Sequence, residues 1–238
     1  MSRVAAPCYS SAVMEPASRI RFPPRGRPLA AALSLAALLY AAPASAGPQQ
    51  YEPLADSVRS AMAASLAGAT GLRASYDSEA HRADWLAQME ARIPRRWIPD
   101  ERLRIDFLET VRYEAQRAGL DPALVLGLIE VESNFRQYAI SSAGARGLMQ
   151  VMPFWVRLIG DGDESRLFDM RTNLRYGCTI LRHYLDIERG DLFRALGRYN
   201  GSLGKAAYPT AVRRAWDRWR YRPSPGGVRA GLPGDGAG

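Results

Sequence analysis

Apolar residues at helical spacing run through the chain from Pro99 to Arg222, and this periodicity is the feature that most limits its fold. One segment has an apolar stripe that ends at a glycine: Leu103, Phe107, Leu108, Val111, Ala115 and Gly119. A second segment has a stripe of the same kind: Leu174, Gly177, Cys178, Leu181, Tyr184 and Leu185. No alternating pattern of useful length predicts a strand. The sequence therefore predicts a mainly α domain without internal repeats.

Local signals place three further helices. Asp121 is a favoured N-cap and Pro122 fits the first helical position, so a helix is predicted to begin there. The segment LFRALGRYNG predicts a shorter helix that ends near Gly201. The segment TAVRRAWDRWRYR predicts the last helix.

Residues 1–46 have the features of a secretory signal peptide. Arginines from Arg19 to Arg27 precede the apolar stretch Leu29–Ala42, and Ala44-Ser45-Ala46 is an A-x-A cleavage pattern. The stretch is shorter than the ~20 residues that a membrane span needs. We expect cleavage before Gly47 and a periplasmic or cell-wall location. An uncleaved N-terminal anchor is the alternative.

The rest of the chain divides by composition. Residues 47–98 are rich in Ala and Ser and predict a leader that is partly disordered or marginally helical, residues 99–221 form the main domain, and residues 222–238 predict a disordered tail. Without residues 1–46 the net charge falls from +8 to +4. This basic excess suits an anionic polymer or a membrane surface, although an ordinary solvated surface explains it as well. We expect a monomer with no nucleic-acid partner.

Cysteine and histidine usage argues against metal or thiol chemistry. Cys178 lies on the apolar stripe of its helix, which is typical of a buried structural thiol. His81 and His183 have no partners at metal-ligand spacing. We therefore predict no metal site, and no Gly-rich phosphate loop indicates a cofactor.

Two glutamates follow the apolar run of the helix that begins at Pro122. At about 100° per residue, Glu132 falls in the middle of the apolar stripe and Glu130 on the other face. An apolar environment raises the pKa of a carboxyl group, and such a group can act as a general acid. The alternative is a structural glutamate bonded to an arginine or to backbone N–H groups. Glu132 is the candidate acid, and Glu130 is the ordinary solvated residue.

Further motifs follow this helix. The small residues from Ser141 to Gly147 suit a loop whose backbone approaches a ligand closely. Gln150 is a single amide in an apolar run, which suggests a recognition group, while Tyr199 and Asn200 precede Gly201 at a helix end. A lone Tyr-Asn-Gly is also simply a turn.

The motifs occur in a recognisable order: Glu132-Ser133-x-Phe135, Gly147-Leu148-Met149-Gln150-Val151-Met152-Pro153, Asn173-Leu174-x-x-Gly177 and Tyr199-Asn200-Gly201. This order resembles the catalytic domain of the soluble lytic murein transglycosylases, a family related to goose-type lysozyme. The resemblance covers roughly Leu103 to Trp219. It implies a lysozyme-like helical domain with a glycan-binding groove, placed within residues 99–221.

The resemblance also implies roles for individual residues. Glu132 matches the only catalytic carboxylate of the family, and the groove lining matches Ser141, Gln150 and Met152. Tyr199 resembles the tyrosine that hydrogen-bonds near that carboxyl group, with Asn200 supporting it. Arg198 departs from the family, which usually has a small residue there. A long cation at this position would narrow the groove or bind carboxylates of peptidoglycan.

The implied reaction cleaves peptidoglycan strands between N-acetylmuramic acid and N-acetylglucosamine and leaves a 1,6-anhydro end. No second carboxylate accompanies the motifs, so a mechanism with one carboxylate fits better than that of an ordinary glycosidase. A hydrolytic lysozyme of the same fold and a non-catalytic glycan-binding module are the alternatives. The sequence leaves open whether the protein serves a secretion apparatus or other envelope machinery.

Overall fold

The computed structural model describes residues 49–68 and 73–224. The predicted signal peptide and residues 225–238 of the predicted tail lie outside the described residues. No helix in the described part of the chain is long and apolar enough to cross a membrane.

The described residues form helices joined by loops. The α-helices are α1 (Asp56–Ala67), α2 (Glu79–Glu90), α3 (Glu101–Arg117), α4 (Pro122–Ser133), α5 (Phe154–Ile159), α6 (Met170–Ile187), α7 (Leu192–Asn200) and α8 (Ala207–Trp219), and a 3-10 turn (Glu164–Phe168) precedes α6. Within the two described ranges, β structure is limited to isolated bridges that join Arg146 to Ile140 and to Val151. The prediction of a mainly α domain is confirmed.

Helix ends follow the local chemistry of the sequence. The side chain of Asp121 accepts a hydrogen bond from the N–H of Ala123, and Pro122 is the first residue of α4. Gly201 ends α7 in the left-handed conformation, with φ of 74°. The predicted starts and stops of these helices are confirmed.

Helix α4 is largely buried and packs closely against α8. Its apolar residues from Ala123 to Ile129 are buried. A Cβ atom on Gly127 would lie 2.6 Å from the backbone nitrogen of Trp216 in α8. The two backbones approach this closely because Gly127 has no side chain, and the approach brings the start of α8 to the end of α4.

The predicted leader belongs to the packed body of the protein. It forms α1 and α2, and its apolar side chains join the same core as those of α4: Met62, Trp85, Leu86, Met89 and Ile93. The sequence left open a partly disordered or a marginally helical leader, and α1 and α2 correspond to the helical alternative. The segment is rich in Ala and Ser, but it contains the few large apolar residues that pack both helices against the core.

A buried ion network fixes α1 to α3 and α6. Glu114, with a fully buried side chain, pairs with Arg175 at 3.0 Å and with Arg117 at 2.7 Å. The two guanidinium groups also donate to backbone oxygens at the end of α1, Arg117 to Ser65 at 2.6 Å and Arg175 to Gly68 at 2.9 Å. The carboxylate is thus compensated by two cations, and the orphan carbonyls of α1 gain donors.

Candidate active site

Glu132 lies in the last turn of α4, and its carboxyl group is buried. Oε1 accepts a hydrogen bond from the hydroxyl of Tyr208, while Oε2 has no partner among the described residues. Burial raises the pKa of Glu132 from its ordinary 4.5 to about 8, and the hydrogen bond from Tyr208 acts in the opposite direction. The group therefore holds a proton at neutral pH, and Oε2 is the oxygen not engaged by the protein.

Tyr208 is the residue of this site that the sequence motifs did not indicate. It lies at the start of α8, is buried, and is separated from Glu132 by 76 positions in the sequence. Burial and the nearby charge of Glu132 keep the pKa of its hydroxyl well above the ordinary value, so it remains a hydrogen-bond donor. Such a donor fixes the orientation of the carboxyl group and stabilises its ionised form.

Tyr199 does not make the contact that the family resemblance implied. Its hydroxyl donates to the backbone oxygen of Met149 at 2.7 Å, and Tyr208 occupies the place at Glu132. The reason is geometric, because α7 points Tyr199 at the loop before α5 while α8 runs along α4. Tyr199 is fully buried, and the charge of Glu132 still contributes to raising its pKa, so the two side chains are neighbours without a direct bond.

Asn173 holds the loop that follows α4. Its Oδ1 accepts from the N–H of Met149 at 2.8 Å, and its Nδ2 donates to the backbone oxygens of Arg146 at 2.9 Å and Leu167 at 2.8 Å. A Cβ atom on Gly147 would lie 2.2 Å from Nδ2 of Asn173. Glycine at this position therefore lets the loop backbone lie directly against the amide.

Gln150 and Ser141 also stabilise this loop from within. Gln150 is only 5% exposed, adopts a left-handed φ of 49°, and donates through Nε2 to the oxygens of Gly147 at 2.9 Å and Ala139 at 3.2 Å. Oγ of Ser141 accepts from the N–H of Ala145 at 3.1 Å. The amide nitrogen of Gln150 is thus committed to the loop, whereas the sequence suggested a group that faces a ligand. Ser141 is partly exposed.

The remaining predicted residues lie around Tyr199. Met152 is partly buried, and its N–H points to Oε1 of Gln49 at 3.4 Å. Asn200, the last residue of α7, is buried, and its Nδ2 has no partner among the described residues. Arg198 pairs with Glu188 and, at 2.9 Å, with Glu52. The cation at this unusual position is therefore engaged by carboxylates of the protein itself.

Glu130 is held on the opposite side of α4. It pairs with Arg218 at 2.5 Å and accepts from Nε1 of Trp219 at 2.6 Å. It is thus partly buried and paired with α8, although the sequence predicted a simply solvated residue. Its position away from Glu132 agrees with the predicted geometry of the helix.

Metal ligands do not cluster in residues 49–68 and 73–224, where no group of three or more His, Cys, Asp or Glu side chains is placed to hold an ion. Cys178 is fully buried, and burial raises the pKa of its thiol.

The segment that contains these residues matches a known domain family. Residues 109–220 match the family described as the transglycosylase SLT domain. This segment is similar to the transglycosylase SLT domain. It contains Glu132 and Tyr208 as well as the loop that Asn173 holds, while α1, α2 and the first turns of α3 precede it.

Proteins similar to this chain carry names that agree with this match. A membrane-bound lytic murein transglycosylase C of Haemophilus influenzae (strain PittEE) is 35% identical over 113 residues, which cover 41% of this chain and 32% of the relative. A protein of the same name from Actinobacillus pleuropneumoniae serotype 5b (strain L20) is 55% identical over 83 residues, which cover 32% of this chain and 23% of the relative. A transglycosylase of Enterobacteria phage PRD1 is 33% identical over 102 residues, covering 43% and 37%. The chain thus spans well under half of the length of these relatives.

Proposed function

We propose that this protein is a lytic transglycosylase that cleaves the β-1,4 bond between N-acetylmuramic acid and N-acetylglucosamine in peptidoglycan. The observation that carries the proposal is the buried carboxyl group of Glu132, whose pKa burial raises to about 8 and whose Oε2 has no partner among the described residues. Burial and Tyr208 account for its shifted pKa, and no second carboxylate of the described chain contributes to it. A site with one acid suits a reaction in which the substrate supplies its own nucleophile.

Glu132 acts first as a general acid. Its proton passes to the glycosidic oxygen, the bond from this oxygen to C1 of the muramic acid breaks, and positive charge develops at C1. The carboxylate that remains is stabilised by the hydroxyl of Tyr208. The neighbouring N-acetyl group of the substrate helps to stabilise the charge at C1, as the family resemblance implies.

Glu132 then acts as a general base. Its carboxylate takes the proton from the C6 hydroxyl of the same muramic acid, and the C6 oxygen bonds to C1 to give the 1,6-anhydro ring. Because the nucleophile belongs to the substrate, the protein need not position a water molecule. The protonated acid is restored, and no water is consumed.

Product analysis tests the proposal. Purified protein is incubated with peptidoglycan, and the products are examined by mass spectrometry for anhydro-muropeptides. A hydrolytic lysozyme of the same fold yields products heavier by one water, and a glycan-binding module yields none. Glu132→Gln keeps the shape of the side chain without the transferable proton and is expected to lower turnover by at least about a hundredfold. Glu130→Gln is the control, since Glu130 lies on the other side of α4.

The proposed place of action is the periplasm or the cell wall, and the proposed partner is the glycan strand itself. The signal-peptide features of residues 1–46 support export. The relatives named as membrane-bound enzymes support a location in the cell envelope. N-terminal sequencing of protein recovered from the envelope checks this, because cleavage before Gly47 is expected.

A further inference from the structure

The segment Gln49–Leu54, which we name the strap, precedes α1 and lies against the predicted groove residues. Gln49 is 5% exposed, and its Oε1 accepts from Nε1 of Trp155 at 2.9 Å and from the N–H of Met152 at 3.4 Å. Its side chain also lies beside the hydroxyl of Tyr199, which neighbours Glu132. A polar side chain of the leader is thus buried beside Met152 and Tyr199, two residues that the sequence placed at the substrate site.

Two further contacts hold the strap in place. The carboxylate of Glu52 pairs with Arg198 at 2.9 Å, directly before Tyr199 in the sequence. The ring of Tyr51 meets that of Phe154 edge to face, with centroids 5.7 Å apart. The strap therefore joins the start of α5, two residues after Met152, to the end of α7, which carries Tyr199.

The chemistry of Gln49 resembles that of the proposed substrate. A carboxamide offers one carbonyl acceptor and N–H donors, and the acetamido group of an N-acetyl sugar offers the same acceptor and one such donor. Every sugar of a peptidoglycan strand carries an acetamido group. We propose that the strap is an intramolecular competitor, in which the Gln49 carboxamide occupies the position of a substrate acetamido group and leaves when a glycan strand enters.

The contacts of the strap suit reversible release. Residues 50–53 are exposed, and Glu52 retains 47% of its side-chain accessibility in the pair with Arg198. Ion pairs of this exposure contribute little to stability and weaken with salt. Nε2 of Gln49 is buried beside the hydroxyl of Tyr199 but makes no hydrogen bond of normal geometry, so the amide nitrogen is weakly satisfied. An entering sugar therefore displaces an imperfectly bound group.

This inference rests on the proposed function, and steady-state kinetics on peptidoglycan provide its first test. Glu52→Gln removes the ion pair with Arg198, and Gln49→Ala removes the carboxamide. Both variants are expected to lower KM by about two- to fivefold, the range that an exposed ion pair supports, with kcat nearly unchanged. Glu79→Gln is the matched control, because it removes an exposed ion pair with Arg82 in α2 and is expected to change neither constant.

Calorimetry provides a second test that needs no turnover. In the Glu132→Gln protein, addition of Gln49→Ala or Glu52→Gln is expected to tighten the binding of an N-acetylglucosamine oligomer by a similar factor. Equal or weaker binding, or no binding to any variant, overturns the strap as a competitor. If the wild type turns over peptidoglycan but both strap variants have the KM of the wild type, the strap is overturned and the proposed function stands. Absence of anhydro products from wild type and variants alike overturns the proposed function, while the binding comparison still decides the strap.

Discussion

Glu132 couples the stability of the protein to pH. Its pKa is about 8 in the folded protein against an ordinary 4.5, so the folded state binds the proton more tightly than the unfolded state does. Its ionisation therefore lowers stability as the pH rises from about 4.5 to about 8, by at most about 1.4 kcal/mol per pH unit. The difference in unfolding free energy between Glu132→Gln and the wild type is expected to move in favour of the variant as the pH rises through this window. Below and above the window the difference is expected to be constant. Denaturant unfolding at several pH values measures this, and a constant difference would contradict the raised pKa.

Tyr208 is expected to set the alkaline limit of activity together with Glu132. Its hydroxyl favours the carboxylate and so lowers the pKa of Glu132. In Tyr208→Phe the pKa of Glu132 rises further, and the alkaline limb of the kcat/KM profile moves to higher pH. In the pH range where kcat/KM is constant, its value falls about ten- to a hundredfold, since a hydrogen bond to a charged group is worth about 1.5–3 kcal/mol. A lower rate with an unmoved limb would assign Tyr208 to packing alone.

Tyr199 is expected to behave differently from Tyr208. Its hydroxyl satisfies the backbone oxygen of Met149 at 2.7 Å in a fully buried position. Tyr199→Phe leaves that carbonyl without its donor, and a buried unsatisfied group costs about 1–3 kcal/mol. The variant should therefore lose thermal stability, while the alkaline limb of its activity profile stays in place. The pair of variants separates the residue that holds the loop from the one that touches the acid, and a shifted limb in Tyr199→Phe would reverse the assignment.

At the scale of elements, the approach of α4 and α8 decides the site. Alanine at Gly127 would place Cβ 2.6 Å from the backbone nitrogen of Trp216, which no rotamer change relieves. Gly127→Ala is expected to cost about 1–3 kcal/mol through overpacking, and to lower activity by moving Tyr208 from Glu132. Gly68→Ala is the control, since its Cβ would meet only an ordinary contact of 3.5 Å. Thermal unfolding and turnover of both variants check this, and equal effects would argue against the close approach.

The same elements indicate what a sequence reveals and what it conceals. Asp121 and Pro122 are local signals, so the start of α4 was predictable, and helical spacing was enough to place Glu132 on the apolar side. The contact between Tyr208 and Glu132 spans 76 positions and depends on a glycine at the point of closest approach, which no local pattern reveals. The loop contacts of Gln150 were hidden for a related reason, because the carbonyl partners of its Nε2 are brought close by the folded loop and do not show in the sequence pattern.

The whole molecule depends on more than the matched family segment. Residues 109–220 begin within α3, yet the core includes large side chains from α1 and α2. Glu114 also reaches the end of α1 through Arg117 and Arg175. The leader therefore shares one core with the segment that matches the SLT domain, and its first described residues form the strap.

Removal of the leader tests this dependence. A chain of residues 99–224 loses the buried side chains of Met62, Trp85, Leu86 and Met89, each of which contributes about 1.5–3 kcal/mol. The combined loss of about 6–12 kcal/mol is comparable to the whole stability of a typical domain, about 5–15 kcal/mol. Circular dichroism and denaturant unfolding are expected to find 49–224 cooperatively folded and 99–224 unfolded or molten. An equal unfolding midpoint for both chains would show that α1 and α2 merely rest on a domain that is stable without them.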